Sequence, residues 1–403
     1  MARVLDGYRV LDFTHVLSGP IATHYLRLLG AEVIKVESSA GDTMRNYGSR
    51  QVNDGMGPSF VSVNAGKRSI VLDLKSEAHL EVARRLIARA DIVVENFRAG
   101  VIDRLGLGYP ACRDIKPDIV FCSVSGFGQS GPLKANPAID QIVQSMSGLM
   151  NLSGEPGSPP MRIGFPVVDT FSGLVAAFAI VSAMLQRERT GEGQYIDVAM
   201  FDAAMVMMIS VLGPYLVTGV KPEKQGNRGY SMAPTADTFP TAQGSITIGA
   251  IRQDQFERLC KVLGRPDLIA DPRFADRKKR FEHGEALQAE VRRAFQGRPA
   301  EQWEQMLNDA GVAAGAVRDL PEAIALSHFG GRGLKIPLKV PGIARESVEV
   351  LNTGFRFDHD APGVDRPPPR LGEHTREVLA ELGYSPAQIE SLLAKPDNVE
   401  QSA

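Results

Sequence analysis

The N-terminal part of this chain alternates between strand-like and helix-like segments, and this alternation limits the folds open to it. The run YRVLDF is followed by the helix-like GPIATHYLRLLG and then by AEVIKVE, which is the order of a βαβ unit. The order repeats in SIVLDL, EAHLEVARRLIARA and DIVVENF, and IVFCSVSGFG adds a β-rich run that ends in glycines. Strands alternating with helices predict an open parallel sheet covered on both faces. We therefore expect an α/β fold with a large Rossmann-like domain.

A change in composition and in the predicted secondary structure near Pro222 indicates a second, smaller domain. The segments GNRGYSMAPTADTF and GSITIGA suggest loops and short strands, and charged amphipathic helices follow as far as about Val312. Beyond them, DHDAPGVDRPPPRLGEHT is a Pro-rich connection, and Ser385 is the expected N-cap of the second of two final helices, REVLAELG and SPAQIESLLAK. We predict a large domain over 1–220, a small α/β domain over 221–334, and a segment 335–403 that returns to the large domain.

Charge and cysteine content exclude several classes of protein. The 403 residues include 45 Lys and Arg against 47 Asp and Glu, so the composition gives no sign of a nucleic-acid surface. Cys112, Cys122 and Cys260 are too few and too far apart for a zinc site, and we expect reduced, mostly buried thiols. The N-terminus lacks a secretion signal, and the longest apolar run, LVAAFAIVSAML, is too short to span a bilayer. These observations predict a soluble, cytoplasmic protein without nucleic-acid or membrane partners.

Three common chemistries lack the residues they need. Glu37 ends the second predicted strand, where a dinucleotide-binding enzyme holds a ribose, but the first turn HVLSGP has Gly19 alone, followed by Pro20, instead of GxGxxG. The string SVSGFGQSG has the wrong spacing for the nucleophile of a serine hydrolase. The seven His residues are scattered and no carboxylate cluster accompanies them, so we expect no metal site.

Asp169 closes the apolar run FPVVD and opens the helix-like TFSGLVAAFAIVSAML, where a buried strand is predicted to meet a buried helix. One interpretation is an N-cap, whose carboxylate accepts a hydrogen bond from the first turn of the helix. The other is a carboxylate nucleophile. Basic residues beside the predicted strands could hold the phosphates of a nucleotide or be ordinary solvated side chains: Lys67, Arg68, Lys75, Arg98 and Arg104.

Motifs along nearly the whole chain resemble the class III CoA-transferases, the group of formyl-CoA transferase and carnitine-CoA transferase. They are LDGYRVLDFTHVLSGP, LLGAEVIKVE, AGKRSIVLDLK, ADIVVENFRAGVIDRLGLGY, QSMSGLMNLSGEPGSPP, FPVVDTFSGLVAA, RTGEGQYIDVAMFD and LGEHTREVL. The resemblance implies an interlocked homodimer that uses coenzyme A or acyl-CoA as a substrate and holds no tightly bound cofactor. It also implies exchange of CoA between an acyl-CoA and a free carboxylic acid.

The resemblance assigns roles to individual residues. Asp169 falls on the family's nucleophile, which forms a mixed anhydride and then an aspartyl-CoA thioester, and the helix amides near it are expected to keep it ionised. The implied CoA contacts are Leu17, Ser18, Leu72, Lys75, Asn96, Phe97, Arg98 and Arg104. Leu17 replaces a Gln and Ser38 replaces an Arg of formyl-CoA transferase, which argues against formyl or oxalyl specificity, and Arg45 is expected to supply the missing cation. Gly226 and Gly229, in GNRGY, form either an active-site lid or an interdomain turn.

Two other functions remain open at this point. The 2-methylacyl-CoA racemases share the fold, but their His-Asp motif falls on Ile139 and Asp140, and without an imidazole one of the two acid/base partners is missing. A catalytically inactive CoA-binding protein is the second alternative. For a transferase, a small dicarboxylate such as succinate is the expected acid.

Overall fold

The computed structural model describes residues 3–47, 55–343 and 345–394, and these divide into two compact units. The first unit combines 1–150, 162–220 and 330–403, and the second combines 151–161 with 221–329. Segment 151–161, which the sequence analysis counts within the large domain, thus groups with the second unit.

In the described residues, the first unit is built on a six-stranded sheet in the order β3-β2-β1-β4-β5-β6, with every neighbouring pair parallel. The strands of the chain are β1 (Arg9–Asp12), β2 (Glu32–Glu37), β3 (Arg68–Val71), β4 (Ile92–Glu95), β5 (Val120–Ser125), β6 (Gln194–Ala199), β7 (Thr238–Pro240), β8 (Ser245–Gly249), β9 (Ala313–Ala316), β10 (Lys335–Leu338) and β11 (Val348–Leu351). The prediction of an open parallel sheet is confirmed.

Helices cover both units. They are α1 (Ser18–Leu28), α2 (Pro58–Asn64), α3 (Glu77–Ala88), α4 (Val101–Arg104), α5 (Tyr109–Ile115), α6 (Asp140–Met146), α7 (Val167–Thr190), α8 (Met200–Met207), α9 (Ile209–Thr218), α10 (Gln253–Val262), α11 (Asp267–Ala270), α12 (Arg277–Glu282), α13 (Gly284–Phe295), α14 (Ala300–Asp309), α15 (Leu320–Ala325), α16 (Ser327–Gly331), α17 (Thr375–Glu381) and α18 (Pro386–Leu393). Ser385 caps α18, as predicted, because its hydroxyl accepts a hydrogen bond from the Gln388 amide.

The C-terminal helices complete the core on one face of the parallel sheet. Val378 and Leu382 of α17 belong to the same buried cluster as Ile70 of β3 and Leu86 of α3. The backbone joins them as well, because the His374 amide donates to the Ser69 carbonyl at 3.0 Å. Part of the core on this face of the parallel sheet is therefore supplied by residues about 300 positions away in the sequence from β3.

The prediction of a strand at FPVVD is wrong, because α7 already begins at Val167. A short apolar run has the same composition in a buried strand and in a buried helix, so periodicity could not separate them. The sequence analysis also leaves out β6, whose run QYIDVA is largely exposed at the edge of the described sheet. An edge strand carries fewer apolar residues, which weakens its signal.

Helix α7 is 24 residues long and, by length and composition, could cross a membrane, so the expectation that no segment is long enough is wrong. Helices α8 and α9 also meet this criterion as a pair bent by 79°. Ala176, Ile180 and Met184 of α7 lie in a buried cluster with Val94 of β4 and Val124 of β5. A long apolar helix is expected where a domain packs it across the face of its sheet.

The second unit has an antiparallel sheet, β7-β8-β9, packed against amphipathic helices. Its core includes Trp303, whose ring meets Phe295 edge-on at 5.5 Å and whose indole donates to the Phe295 carbonyl at 2.9 Å. Cys260 is buried in this core, and Cys112 and Cys122 are buried in the first unit. The cysteines are unpaired, as predicted.

Candidate active site

A cavity of about 570 Å³ opens in the first unit at the carboxyl ends of the parallel strands. Its walls come from the loops after β1 and β4 and from the end of β5, together with α6 and the start of α7. Strand β1 connects to β2 on one side and its other neighbour, β4, connects to β5 on the opposite side, so the two connections leave in opposite directions. Parallel α/β sheets bind their ligands at such a reversal point.

The cavity gathers part of the predicted set. Its lining includes Leu17, Ser18, Asn96, Phe97, Arg98 and Asp169, together with the Ile139 and Asp140 of the racemase comparison. Arg45, Leu72, Lys75 and Arg104 are not among the lining residues. Gly226 and Gly229 belong to the second unit, where the Gly229 amide donates to the Ala236 carbonyl at 2.8 Å. Their role as a lid stays a prediction.

Asp169 is the third residue of α7 and is not its N-cap. The carboxylate that serves the first turn belongs to Asp140, whose Oδ2 accepts the amides of Val168 at 2.8 Å and Asp169 at 3.2 Å. Its Oδ1 accepts from Gln144 Nε2 at 2.5 Å, and Gln144 Oε1 accepts the Ile163 amide at 2.9 Å. Side chains of α6 thus bind the backbone at Ile163 and at the start of α7. The Asp169 carboxylate is not needed as a cap and lines the cavity.

Burial, and secondarily the negative charge of Asp140, raises the pKa of Asp169 to about 7. The expectation that helix amides keep Asp169 ionised is therefore wrong, because the pKa of Asp169 is raised and not lowered. The nearby amides already bond to the Asp140 carboxylate, which adds a like charge. A strongly raised pKa in a cavity is typical of a functional carboxylate.

The loop between β1 and α1 is held in a strained conformation. Val16 has φ of 67°, which is an outlier for a β-branched residue. Its amide donates to Asp42 Oδ1 at 3.2 Å, and the preceding His15 backbone exchanges hydrogen bonds of 2.7 and 2.8 Å with the Asn96 amide group. Asn96, predicted as a CoA contact, therefore fixes the loop that carries Leu17 and Ser18.

Helix α1 presents its first turn to the cavity. Ser18 is 4% exposed, and its hydroxyl is without a hydrogen-bond partner among the described residues. Ser125, at the end of β5, has a second buried hydroxyl in the same situation. Gly173 of α7 permits the close approach of the two helices, because a Cβ there would lie 2.6 Å from the Ser18 carbonyl oxygen and 2.7 Å from Ile21.

Replacing Gly173 by Ala is expected to lower the catalytic activity of this site about 10-fold or more while the protein still folds. The added methyl group forces α7 away from the first turn of α1 and displaces Ser18 relative to Asp169, and small misplacements at a reacting centre are costly. Steady-state rates of catalysis check this result. Gly213 of α9 has open space around its Cβ position, so Gly213→Ala is the matched control. Equal rates for both variants would contradict the proposed role of the close contact.

The structure does not bring Arg45 to the cavity. Its guanidinium is buried and binds the Glu37 carboxylate through Nε at 2.7 Å and Nη2 at 2.6 Å. It also stacks on the Phe60 ring at 3.9 Å. These contacts use Arg45 and Glu37 to hold the loop after β2, which leaves neither free for a nucleotide.

Other members of the predicted set lie away from the cavity for different reasons. Leu72 directly follows β3, and its side chain is 3% exposed and packs in the hydrophobic core of the first unit. Lys75 is exposed in the turn that follows, and Arg104 is exposed at the end of α4. Their assignment to CoA remains a prediction. Two further cavity cations, Lys134 and Arg162, were not predicted because they lie in loops outside the predicted strands and helices.

A buried ionic network lies beneath the β1–α1 loop. Lys67 Nζ contacts Asp12 Oδ2 at 3.0 Å and Lys35 Nζ contacts Asp42 Oδ2 at 3.1 Å, with every one of these side chains 0% exposed. Burial alone would raise the pKa of Asp12, but Lys67 and Lys35 outweigh it and lower the pKa to about 2. Lys67, read as a phosphate ligand or a solvated cation, is therefore a structural residue.

The chain is similar to proteins of known class along nearly its whole length. Residues 5–375 match CoA-transferase family III. The acetyl-CoA:oxalate CoA-transferase of Acetobacter aceti is 40% identical over 385 residues, which cover 95% of this chain and 97% of that protein. The succinate–glutarate CoA-transferase of Agrobacterium fabrum is 36% identical over 394 residues, which cover 94% of this chain and 95% of that protein.

A solved structure agrees with these matches. The CAIB/BAIF family protein from Brucella suis superimposes with a TM-score of 0.86 at 35% identity, over 95% of this chain and all of that one. The likeness extends through both units of the chain.

Proposed function

Because this chain belongs to CoA-transferase family III, we propose that it transfers CoA from an acyl-CoA to a short dicarboxylic acid, with Asp169 as the covalent nucleophile. The observation that carries the proposal is the Asp169 carboxylate in the cavity at the carboxyl ends of β1 and β4. A half-buried carboxylate there can reach a thioester that enters along the first turn of α1.

The chemistry requires only nucleophilic exchanges at carbonyl carbons. The Asp169 carboxylate attacks the thioester, the C–S bond breaks, and a mixed anhydride and CoA thiolate form. The thiolate then attacks the Asp169 carbonyl and releases the donor acid as a carboxylate, which leaves an aspartyl-CoA thioester. The acceptor carboxylate attacks this thioester to form a second anhydride, and the returning thiolate attacks the acceptor carbonyl, which restores the Asp169 carboxylate. No net proton is consumed, so the site needs no general base.

Each attack develops negative charge on a carbonyl oxygen, and donors near Asp169 are suited to stabilise it. The buried Ser18 hydroxyl is unpartnered among the described residues, and it opens the N-terminus of α1, where helix amides point outward. Fixed donors of this kind stabilise an oxyanion without reorganisation. The close contact of α1 with α7 at Gly173 supports this role, because it keeps the first turn of α1 next to the helix that carries Asp169.

The acceptor class follows from the relatives and from the charge of the cavity. The relatives' names specify oxalate, glutarate and mesaconate as acids or acyl partners, and all of these are dicarboxylates. Among the lining residues, the cations Arg98, Lys134 and Arg162 outnumber the carboxylates Asp140 and Asp169. A cavity with excess positive charge favours substrates that bring more than one negative charge.

The rate of CoA exchange is expected to fall about tenfold per pH unit below 7. Acylation requires ionised Asp169, and its raised pKa means that the carboxylate is progressively protonated as the pH falls through about 7. Asp140→Asn removes the like charge while keeping an oxygen for the amides of α7, so the midpoint of the acid limb should move below 7. Burial of Asp169 remains and should keep it above the usual Asp value. pH profiles of kcat/KM check this, and an unmoved midpoint in Asp140→Asn would refute the electrostatic coupling.

Mass spectrometry of CoA thioesters tests the function directly. The protein is incubated in deuterated water with a panel of acyl-CoAs and unrelated acids, and new thioesters identify both partners. Deuterium at the α-carbon without a new thioester would instead indicate a racemase. None of the residues that line the cavity in the described structure is a histidine, and exposed Ile139 occupies the racemase position. Transfer is therefore the expected outcome.

A further inference from the structure

The cations that line the cavity are available to anionic ligands. Arg98, Lys134 and Arg162 form no ion pair with any carboxylate in the part of the chain that the structure describes. They differ in location. Arg98 follows β4 directly after Asn96 and Phe97, and Lys134 lies in the connection from β5 to α6. Arg162 lies on the segment that leads into α7 and therefore into Asp169.

Helix α6 holds both the segment that carries Arg162 and the start of α7. Asp140 and Gln144 are one turn apart on α6, which is a rise of about 6 Å. Asp140 binds the amides of Val168 and Asp169, and Gln144 binds the amide of Ile163, the neighbour of Arg162. Because Gln144 Nε2 also donates to Asp140 Oδ1 at 2.5 Å, one hydrogen-bonded pair of side chains holds both the backbone beside Arg162 and the start of α7. The Arg162 side chain is exposed, and its guanidinium donates to the Ile163 carbonyl at 3.1 Å, which leaves further N–H groups for a ligand.

We propose that Arg162 binds the distal carboxylate of the acceptor acid and thereby selects dicarboxylates over monocarboxylates. This inference rests on the transferase function proposed above. Arg162 and Asp169 line the same cavity. A short dicarboxylate places one carboxylate against the Asp169 thioester and the other at Arg162, where the planar guanidinium fork matches a carboxylate through two parallel hydrogen bonds. Arg162 is thus a specificity residue that contacts the substrate away from the bond that forms.

The test compares acceptors of equal chain length that differ by one carboxylate, such as succinate with butyrate and glutarate with valerate. The ratio of their kcat/KM values measures discrimination, with one acyl-CoA donor held constant. Arg162→Met is expected to lower this ratio about 10- to 100-fold, because a hydrogen-bonded contact to a charged group is lost. Arg162→Lys, which keeps the charge without the fork, should fall between wild type and Arg162→Met.

Lys134→Met is the matched control because it removes a cation from the same cavity. We expect it to weaken acyl-CoA binding, seen as a higher KM for the donor, and to leave the ratio between acceptors at the wild-type value. An unchanged ratio in Arg162→Met, or a change confined to Lys134→Met, overturns the assignment. Absence of CoA exchange in the wild-type enzyme with every acid would instead overturn the proposed function, so the two failures are distinct.

Discussion

Replacing Asp169 by Ala is expected to abolish CoA exchange, with kcat lowered by about 10⁴-fold or more, while the protein folds and still binds CoA. Loss of a covalent nucleophile removes the whole reaction path, and such losses are among the largest that single substitutions cause. The fold should tolerate the change because Asp140, and not Asp169, accepts the amides that begin α7. Steady-state rates and calorimetric titration with CoA measure the two properties separately.

The covalent step can be observed as well as inferred. Wild-type protein incubated with an acyl-CoA and quenched should carry an adduct on the peptide that contains Asp169, and the adduct should be absent from Asp169→Ala and Asp169→Asn. The Asn variant matches the carboxylate in shape but not in nucleophilicity. Turnover retained in Asp169→Ala would refute the mechanism, and CoA binding without any adduct in the wild type would favour a non-catalytic CoA-binding role.

The second large effect concerns stability. Replacing Lys67 by Met should lower the free energy of unfolding of the parallel-sheet unit by about 3–5 kcal/mol, because it leaves the buried Asp12 carboxylate without its nearest cation. Lys67 Nζ also donates to Thr23 Oγ1 at 2.7 Å and to the Pro20 carbonyl at 3.2 Å, so the substitution loosens the first turn of α1. Chemical denaturation followed by circular dichroism measures the loss.

Two comparisons separate this effect from simple loss of side-chain volume. The double variant Lys67→Met with Asp12→Asn removes the buried charge and should recover part of the stability. Arg376→Met breaks an exposed ion pair with Glu390 and should leave the denaturation midpoint unchanged. The only tryptophan, Trp303, lies in the second unit, so its fluorescence follows that unit by itself. A loss below 1 kcal/mol in Lys67→Met would contradict the proposed importance of the pair.

The repeating strand and helix pattern was sufficient to predict the parallel sheet, because the period of apolar residues is a local property. It failed at FPVVD, where the apolar residues sit at the start of a helix and the cap comes from Asp140, far away in the chain. No local pattern shows that a distant carboxylate will satisfy the first turn of a helix. The apparent N-cap at Asp169 was a consequence of the same error.

The predicted residues that line the cavity lie at the carboxyl ends of strands, where Asn96 follows β4 directly and Leu17 and Ser18 lie five and six residues after β1. The site was predicted worst where charge partners decide the outcome. Arg45 resembles a free cation in the sequence, yet Glu37 and Phe60 enclose it. Arg162 lies in an irregular segment whose approach to Asp169 depends on Gln144 and Asp140 of another helix. Pairing between distant residues is set by tertiary structure and leaves no local signal.

The closure of the parallel sheet by α17 has a consequence for biosynthesis. Strands β1 to β5 leave the ribosome before α17, and the cluster that holds Val378 and Leu382 against Ile70 and Leu86 forms only after α17 has been translated. Until then, the apolar side chains that α17 covers stay exposed, and exposed apolar surface is prone to aggregate. Contacts this distant in sequence also slow folding, because the connecting loop must be closed first. The cavity around Asp169 is built on this sheet, so the site is expected to become competent only after α17 has been translated.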